Sequence, residues 1–419
     1  MKKIALFATV LTLCVAMNAQ NLNVQSAMTD LKRGYLNKAK ASIDKACAHE
    51  DTKEDAKTWY YAGLIYSQIG DAATNPNSER RKYKDLDPDW CNKAYNAALR
   101  CKELDKNNEF AAENNGIFRY VGNNFYNQAI VAYNAGDFAQ ARSLSEEAIK
   151  IFNNSGDVDN TNESYYIAGL SCQALNDNEG VKAFYGPLVR RTKVKEEFAS
   201  KMARVYNAMF HIYKDAGDTV NVMKTAERYT KTMPTDPSSS LLLADAYIWT
   251  GNSEKGIALA DKAIENAKAL NDPVMYPVIL CAAAAVYEQA GNYDGAEAKY
   301  LESAQLEPNQ VAANYGMGIM LYNRGVDKSK AIDKLWESGQ EPDEAVVEKL
   351  TSEYKGFLQQ AIPYLVKGIA YIDGLTEEQK GQNRTNLYNC LRALNTCYAT
   401  LEMYDESKAI QQRLNEFTK

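Results

Sequence analysis

Histidine is nearly missing: the 419-residue chain holds two, His49 and His211. A metal site built from several imidazoles is therefore excluded, and no His-Glu-x-x-His motif occurs. Neither histidine has a nucleophile beside it in sequence. Neither the GxxxxGK[ST] nor the GxGxxG loop that cradles phosphates is present, which leaves nucleotide binding without support. Lys and Arg number 48 against 54 acidic side chains, giving a formal charge of −6, and no basic run is dense enough to follow a nucleic-acid backbone. No apolar run is long enough for a permanent membrane span. The eight cysteines show no CxxC pair and no regular spacing, so neither a redox motif nor a disulfide framework is indicated. The segment Asn153 to Asn160 is rich in oxygen donors around Gly156 but lacks the closing Glu of a calcium loop, and reads as a connection. No catalytic residues, no cofactor and no metal are expected.

The first residues are informative. Lys2 and Lys3 precede the apolar run IALFATVLTLCVA, and Met17-Asn18-Ala19-Gln20 follows. This is the pattern of a secretory signal peptide over residues 1–19, cleaved after Ala19. Its removal takes the formal charge to about −8. Leu13 is bulky where a lipoprotein leader wants a small residue, so Cys14 is read as part of the leader and not as a lipid anchor. The ending Asn-Ala-Gln resembles leaders of the Bacteroidetes. Export to the periplasm, or to association with the outer membrane, is the expectation.

The mature chain is organised around Leu280 to Pro308, LCAAAAVYEQAGNYDGAEAKYLESAQLEP. Leu280, Ala283, Ala284 and Tyr287 share one helical face, as do Ala296 and Tyr300 beyond the turn at Gly291 and Asn292. Small residues at these places let two helices approach closely, and a lone helical hairpin cannot bury such a face. The stretch resembles the tetratricopeptide repeat family, whose unit is a thirty-four-residue helix pair. Trp59, Ala62, Gly63, Tyr66 and Gly70 repeat the resemblance, as do Tyr165, Ala168 and Gly169, and then Asn314, Met317 and Gly318. Gly291 to Gly325 spans one unmodified family period, which places a turn at Gly325. The resemblance implies an all-α fold: a right-handed superhelix, or α-solenoid, of about nine stacked antiparallel helix pairs forming one domain over residues 20–419. Insertions are expected near residues 71–90 and 337–372. Pro187 should kink or delay its helix, and Pro363 should kink its helix or split it in two. Leu394, Tyr398, Leu401 and Met403 suggest an exposed apolar end face that would invite self-association, so monomer and homodimer both stay open.

In that family the first helix of each pair lines a concave binding groove. By their spacing from the small packing residues, the groove candidates are Tyr60, Tyr133, Asn134, Tyr166, Asn207, His211, Trp249, Tyr315, Tyr322 and Asn323. Lys214, Asp245, Glu288 and Arg392 accompany them. Amides can bond a partner's main chain while tyrosine, present 28 times, supplies rigid contact area. The resemblance implies a non-enzymatic scaffold of the bacterial cell envelope that holds an envelope protein or peptide. A glycan or peptidoglycan ligand in the same groove is the alternative, and an enzyme with its site in the insertions the third reading. Nucleic acid is not an expected partner.

Overall fold

The recurring turn explains most of the architecture. Among the described residues the chain reverses six times on a pair that ends in Asp or Asn: Gly136-Asp137, Gly156-Asp157, Asn176-Asp177, Gly217-Asp218, Gly251-Asn252 and Gly291-Asn292. The first residue takes a positive φ between 56° and 84°, the left-handed conformation that glycine or asparagine enters most cheaply. The second donates its amide to the carbonyl five residues back, as Asp137 does to Ala132 and Asn292 to Tyr287, closing the preceding helix. Its side chain then accepts the amide of the third residue of the next helix, such as Gln140, Asn160, Asn221 or Gly295. One dipeptide ends a helix and caps its successor, each cap contributing about 1 kcal/mol.

The computed structural model describes residues 22–308, 311–337 and 341–417, and among them there are helices and turns but no strand. The predicted leader, Cys14 and the Ser338-Gly339-Gln340 stop lie outside the described residues. The chain falls into two compact units that divide at Arg191 and Thr192. In the first, α1 (residues 22–32) is followed by α2 (Leu36–Ala48), α3 (Ala56–Thr74), α4 (Trp90–Leu104), α5 (Ala111–Asn134), α6 (Phe138–Ser155), α7 (Val158–Ala174) and α8 (Asn178–Val189). Neighbouring helices are antiparallel and bury a continuous core that includes Ile43, Ile65, Ile69, Phe118 and Ile151. Each such apolar side chain contributes about 2 kcal/mol on burial.

The second unit holds α9 (Glu196–Asp215), α10 (Thr219–Thr232), α11 (Pro237–Trp249), α12 (Ser253–Leu270), α13 (Met275–Gln289), α14 (Tyr293–Leu306), α15 (Val311–Glu337), α16 (Glu344–Asp373), the short α17 (Glu377–Gln382), α18 (Arg384–Thr400) and α19 (Tyr404–Phe417). Its core runs through Ala284, Met317, Leu358, Leu365, Leu391 and Cys397. The all-α, stacked-pair class is what the sequence led us to expect. The small residues sit where they should: an added Cβ would lie 2.9 Å from Ile117 at Gly63, 2.0 Å from the Tyr185 ring at Gly169 and 2.8 Å from Leu365 at Gly318. Ala284 is fully buried.

Three local expectations differ from what is found. Gly325 makes no turn. It is buried inside the 27-residue α15, where Leu358 and Tyr354 of α16 lie 3.0 and 3.4 Å from its notional Cβ. The uninterrupted helix lets Arg324 stack on Phe357 at 4.5 Å and Lys328 pair with Glu353 at 2.6 Å. Pro363 does not divide α16, which continues for 30 residues. Leu358, Ala361, Leu365 and Ile369 bury one face on both sides of the proline, and tertiary packing of that kind outweighs one lost backbone bond. The apolar end face is covered as well: Leu414 of α19 joins Leu394 and Cys397 in one buried cluster, Tyr398 and Leu401 pack against it, and Asp405, Glu406, Lys408 and Gln412 are exposed.

The insertion after α3 is folded. Arg81 donates to the carbonyls of Ala72 and Ala73 at 2.9 and 2.8 Å, satisfying the end of α3. The Trp90 ring closes on Gly70, where a Cβ would come within 2.4 Å of it. Asp87 is buried between Lys40 and Lys93.

The cysteines from Cys47 onward are free thiols. Burial pushes Cys101, Cys390 and Cys397 up to about 12, which removes the reactive thiolate at physiological pH. Iodoacetamide at pH 8 is expected to leave these three unmodified for hours and to label them within minutes in denaturant, read by mass spectrometry. Fast labelling of Cys390 or Cys397 in the native protein would contradict the packing described.

Candidate binding site

The residues predicted to line a groove separate into four groups. Tyr166 lies in the interior, 5% exposed and stacked on Tyr185 with ring centroids 6.3 Å apart. It fills a helix crossing, because α7 is enclosed on more than one side. Tyr60 and Tyr133 are half-buried and engaged with neighbours. Tyr60 stacks on Phe110 at 5.1 Å, and Tyr133 meets the edge of Phe138 at 5.3 Å. Asn134, Asn207 and His211 are exposed, with His211 edge-on to Phe210, and Trp249 is 38% exposed. Lys214 and Asp245 are spent on each other through an ion pair of 2.7 Å.

The fourth group converges. On α15, Tyr315, Ile319, Tyr322 and Asn323 recur at helical spacing and form one wall of a cavity of about 250 Å³. The other wall is α18, with Asn389, Arg392, Ala393 and Thr396. Asn389 donates to the Tyr315 hydroxyl at 3.4 Å, and Arg392 lies 5.7 Å from the Tyr388 ring. Burial lifts the Glu288 carboxyl above its ordinary range, against a hydrogen bond from Asn323 that draws it down. Phenols, amides and one guanidinium thus line a small, partly apolar cleft. Such a lining holds and orients a segment; it offers no nucleophile paired with a base.

A second and larger cavity escaped the sequence reading. About 920 Å³ in volume, it lies in the first unit along the stripe Tyr120, Asn123, Asn124, Asn127, Gln128 and Val131 of α5. Asp71, Thr74 and Asn75 at the end of α3 border it on one side, and Asp137, Gln140 and Leu144 of α6 on the other. The run Asn123-Asn124 followed by Asn127-Gln128 was the available signal, since amides at i, i+1, i+4 and i+5 share a helix face.

The oxygen-rich segment from Asn153 is a helix end followed by a helix cap. Gly156 takes φ 69°, and the Asp157 side chain accepts from Asn160 and pairs with Arg119 at 3.1 Å. Lys102 donates to the Asn154 carbonyl at 2.8 Å, placing an ammonium where a cation would have to sit. No cluster of three or more metal-ligating side chains occurs among the described residues, and no helix among them is long and apolar enough to cross a membrane.

No protein-family model matches the chain, and no curated protein matches it. Solved structures do resemble it. A thermophilic TPR protein of Thermus thermophilus aligns at 18% identity over 46% of this chain and 94% of its own, with a TM-score of 0.32. A tetratricopeptide repeat protein from Parabacteroides merdae aligns at 14% identity over 64% of this chain and 98% of its own, with a TM-score of 0.38. The apo form of RapI aligns at 10% identity over 92% and 99%, with a TM-score of 0.41. At these values the likeness carries no functional argument, and the all-α class rests on the helices themselves.

Proposed function

We propose that this chain is a non-enzymatic scaffold of the bacterial cell envelope that holds a segment of another protein in the cleft between α15 and α18. The observation that carries the reading is the convergence of Tyr315, Tyr322 and Asn323 with Asn389 and Arg392 in one cavity. Tyrosine and arginine are the side chains that dominate protein contacts when they sit in a cleft, and the amides beside them suit a main chain. The envelope location rests on the leader pattern from Lys2 to Ala19.

A photo-crosslinking residue placed at position 322 in the full-length protein, in growing cells, tests this directly. A discrete protein adduct is expected, and Tyr315→Ala in the same chain should cut its yield about tenfold. Tyr315 packs in part against the core, so Tyr315→Ala should lower the melting temperature by a few degrees while helical content at the growth temperature stays as in the parent. No protein adduct at any dose, or an adduct indifferent to Tyr315→Ala, would sink the proposal.

A further inference from the structure

We infer that the large cavity on α5 is a separate binding site for an uncharged oligosaccharide, independent of the protein-binding cleft proposed above. Its walls contain no Lys, Arg or His. An anionic ligand would therefore meet two carboxylates and no countercharge. A cationic ligand is no better served, because both carboxylates already have work within the fold. Asp71 accepts from Asn75 and Ser78, and Asp137 caps α6 through the Gln140 amide. What remains is a neutral surface with an excess of amides.

Those amides are arranged for a ligand that both donates and accepts. Asn123, Asn127 and Gln128 are exposed along one face of α5, and Gln140 is exposed opposite them on α6. Gln128 is held by a hydrogen bond to Asn124, which fixes the direction of its carbonyl. Each amide offers two donors and an acceptor, the complement of a sugar's vicinal hydroxyls. Beside them lie apolar atoms of Val131, 69% exposed, of exposed Ala135 and of half-buried Leu144. These atoms give the C–H face of a sugar ring an apolar surface to lie on. The volume is near the upper end of the range for small-ligand sites and accommodates several rings.

The test is calorimetric titration of the full-length mature protein with cellotetraose, maltotetraose, mannotetraose and chitotetraose, beside polygalacturonate as an anionic control. At least one neutral tetramer should bind, and polygalacturonate should not. Asn123→Ala combined with Asn127→Ala should weaken binding at least tenfold, and Val131→Glu should abolish it. All three positions are exposed, so the melting curve should not move. Crosslinking from position 322 should persist in both variants, which separates failure here from failure of the protein-binding cleft. Absence of binding by every neutral tetramer overturns the inference. So does binding that ignores these substitutions, or a peptide that occupies the cavity while saccharides do not.

Discussion

Gly169→Ala should destabilise the first unit by about 3 kcal/mol, although alanine favours a helix over glycine by about 1 kcal/mol. The reason is the distance from the notional Cβ to the Tyr185 ring, 2.0 Å at Cε1 and 2.4 Å at Cδ1. Tyr185 cannot retreat. It is fully buried, stacks on Tyr166 and donates its hydroxyl to Gln173 at 2.9 Å. Either α7 and α8 move apart, emptying the crossing, or the ring leaves its rotamer. Urea denaturation followed by circular dichroism should show the loss in the first unit's transition. Tyr185→Leu on the Gly169→Ala background should recover part of it, since a branched aliphatic side chain leaves room for the new methyl. Gly116→Ala, where nothing lies within 4 Å, is the matched helix-interior control and should be neutral or slightly stabilising. Equal stability of Gly169→Ala and the parent would mean that α7 and α8 do not cross as described.

The helix crossings and the turns were readable from sequence because both have fixed local chemistry. A glycine inside an otherwise apolar helix has few reasons to be there except close approach, and Gly63, Gly169 and Gly318 all obey that rule. Gly-Asp and Gly-Asn mark reversals because one residue supplies the left-handed backbone and the next the cap. Gly325 broke the inference for a physical reason. A buried glycine pressed by Leu358 has the same repeat spacing as a turn glycine, and only the residue after it differs: valine, which cannot cap. The site was half legible. Tyr315 and Tyr322 were identified because α15 is apolar on one side and the tyrosines fall off that side. Tyr166 was misplaced because α7 is packed on opposite faces, so no single stripe marks its interior. The amide cavity is not a periodic feature at all. It forms where the end of α3 meets the second half of α5 and the start of α6, a juxtaposition of three elements that has no period in the sequence.

Asp87→Ala should cost the first unit about 2–3 kcal/mol, less than a fully enclosed ion pair because the Lys93 side chain reaches solvent. The carboxylate accepts from Lys93 at 2.7 Å and lies 3.3 Å from Lys40, which also holds Asp44 at 2.8 Å. Tyr66 donates to Asp44, so α2, α3 and the start of α4 meet in one polar network around the insertion. Burial works to raise the Asp87 carboxyl, but hydrogen bonds from Lys93, the Asp89 amide and Lys40 outweigh it and hold it below the usual carboxylate range. Such a group stabilises the fold fully above its unfolded value of about 4, and that stability is lost as pH falls through the lower folded value. Lys40 is the mirror case. Its hydrogen bond to Asp44, opposed by burial and aided by Asp87, raises it, so its contribution is complete below the ordinary lysine value and lost only as pH climbs through the higher folded one. Between these limits the network is fully charged and the first unit should show flat stability. Acid should then weaken the parent more steeply than Asp87→Ala, the two curves converging below about pH 4. Parallel acid limbs for parent and variant would show that Asp87 is not the carboxylate that ties the insertion to α2.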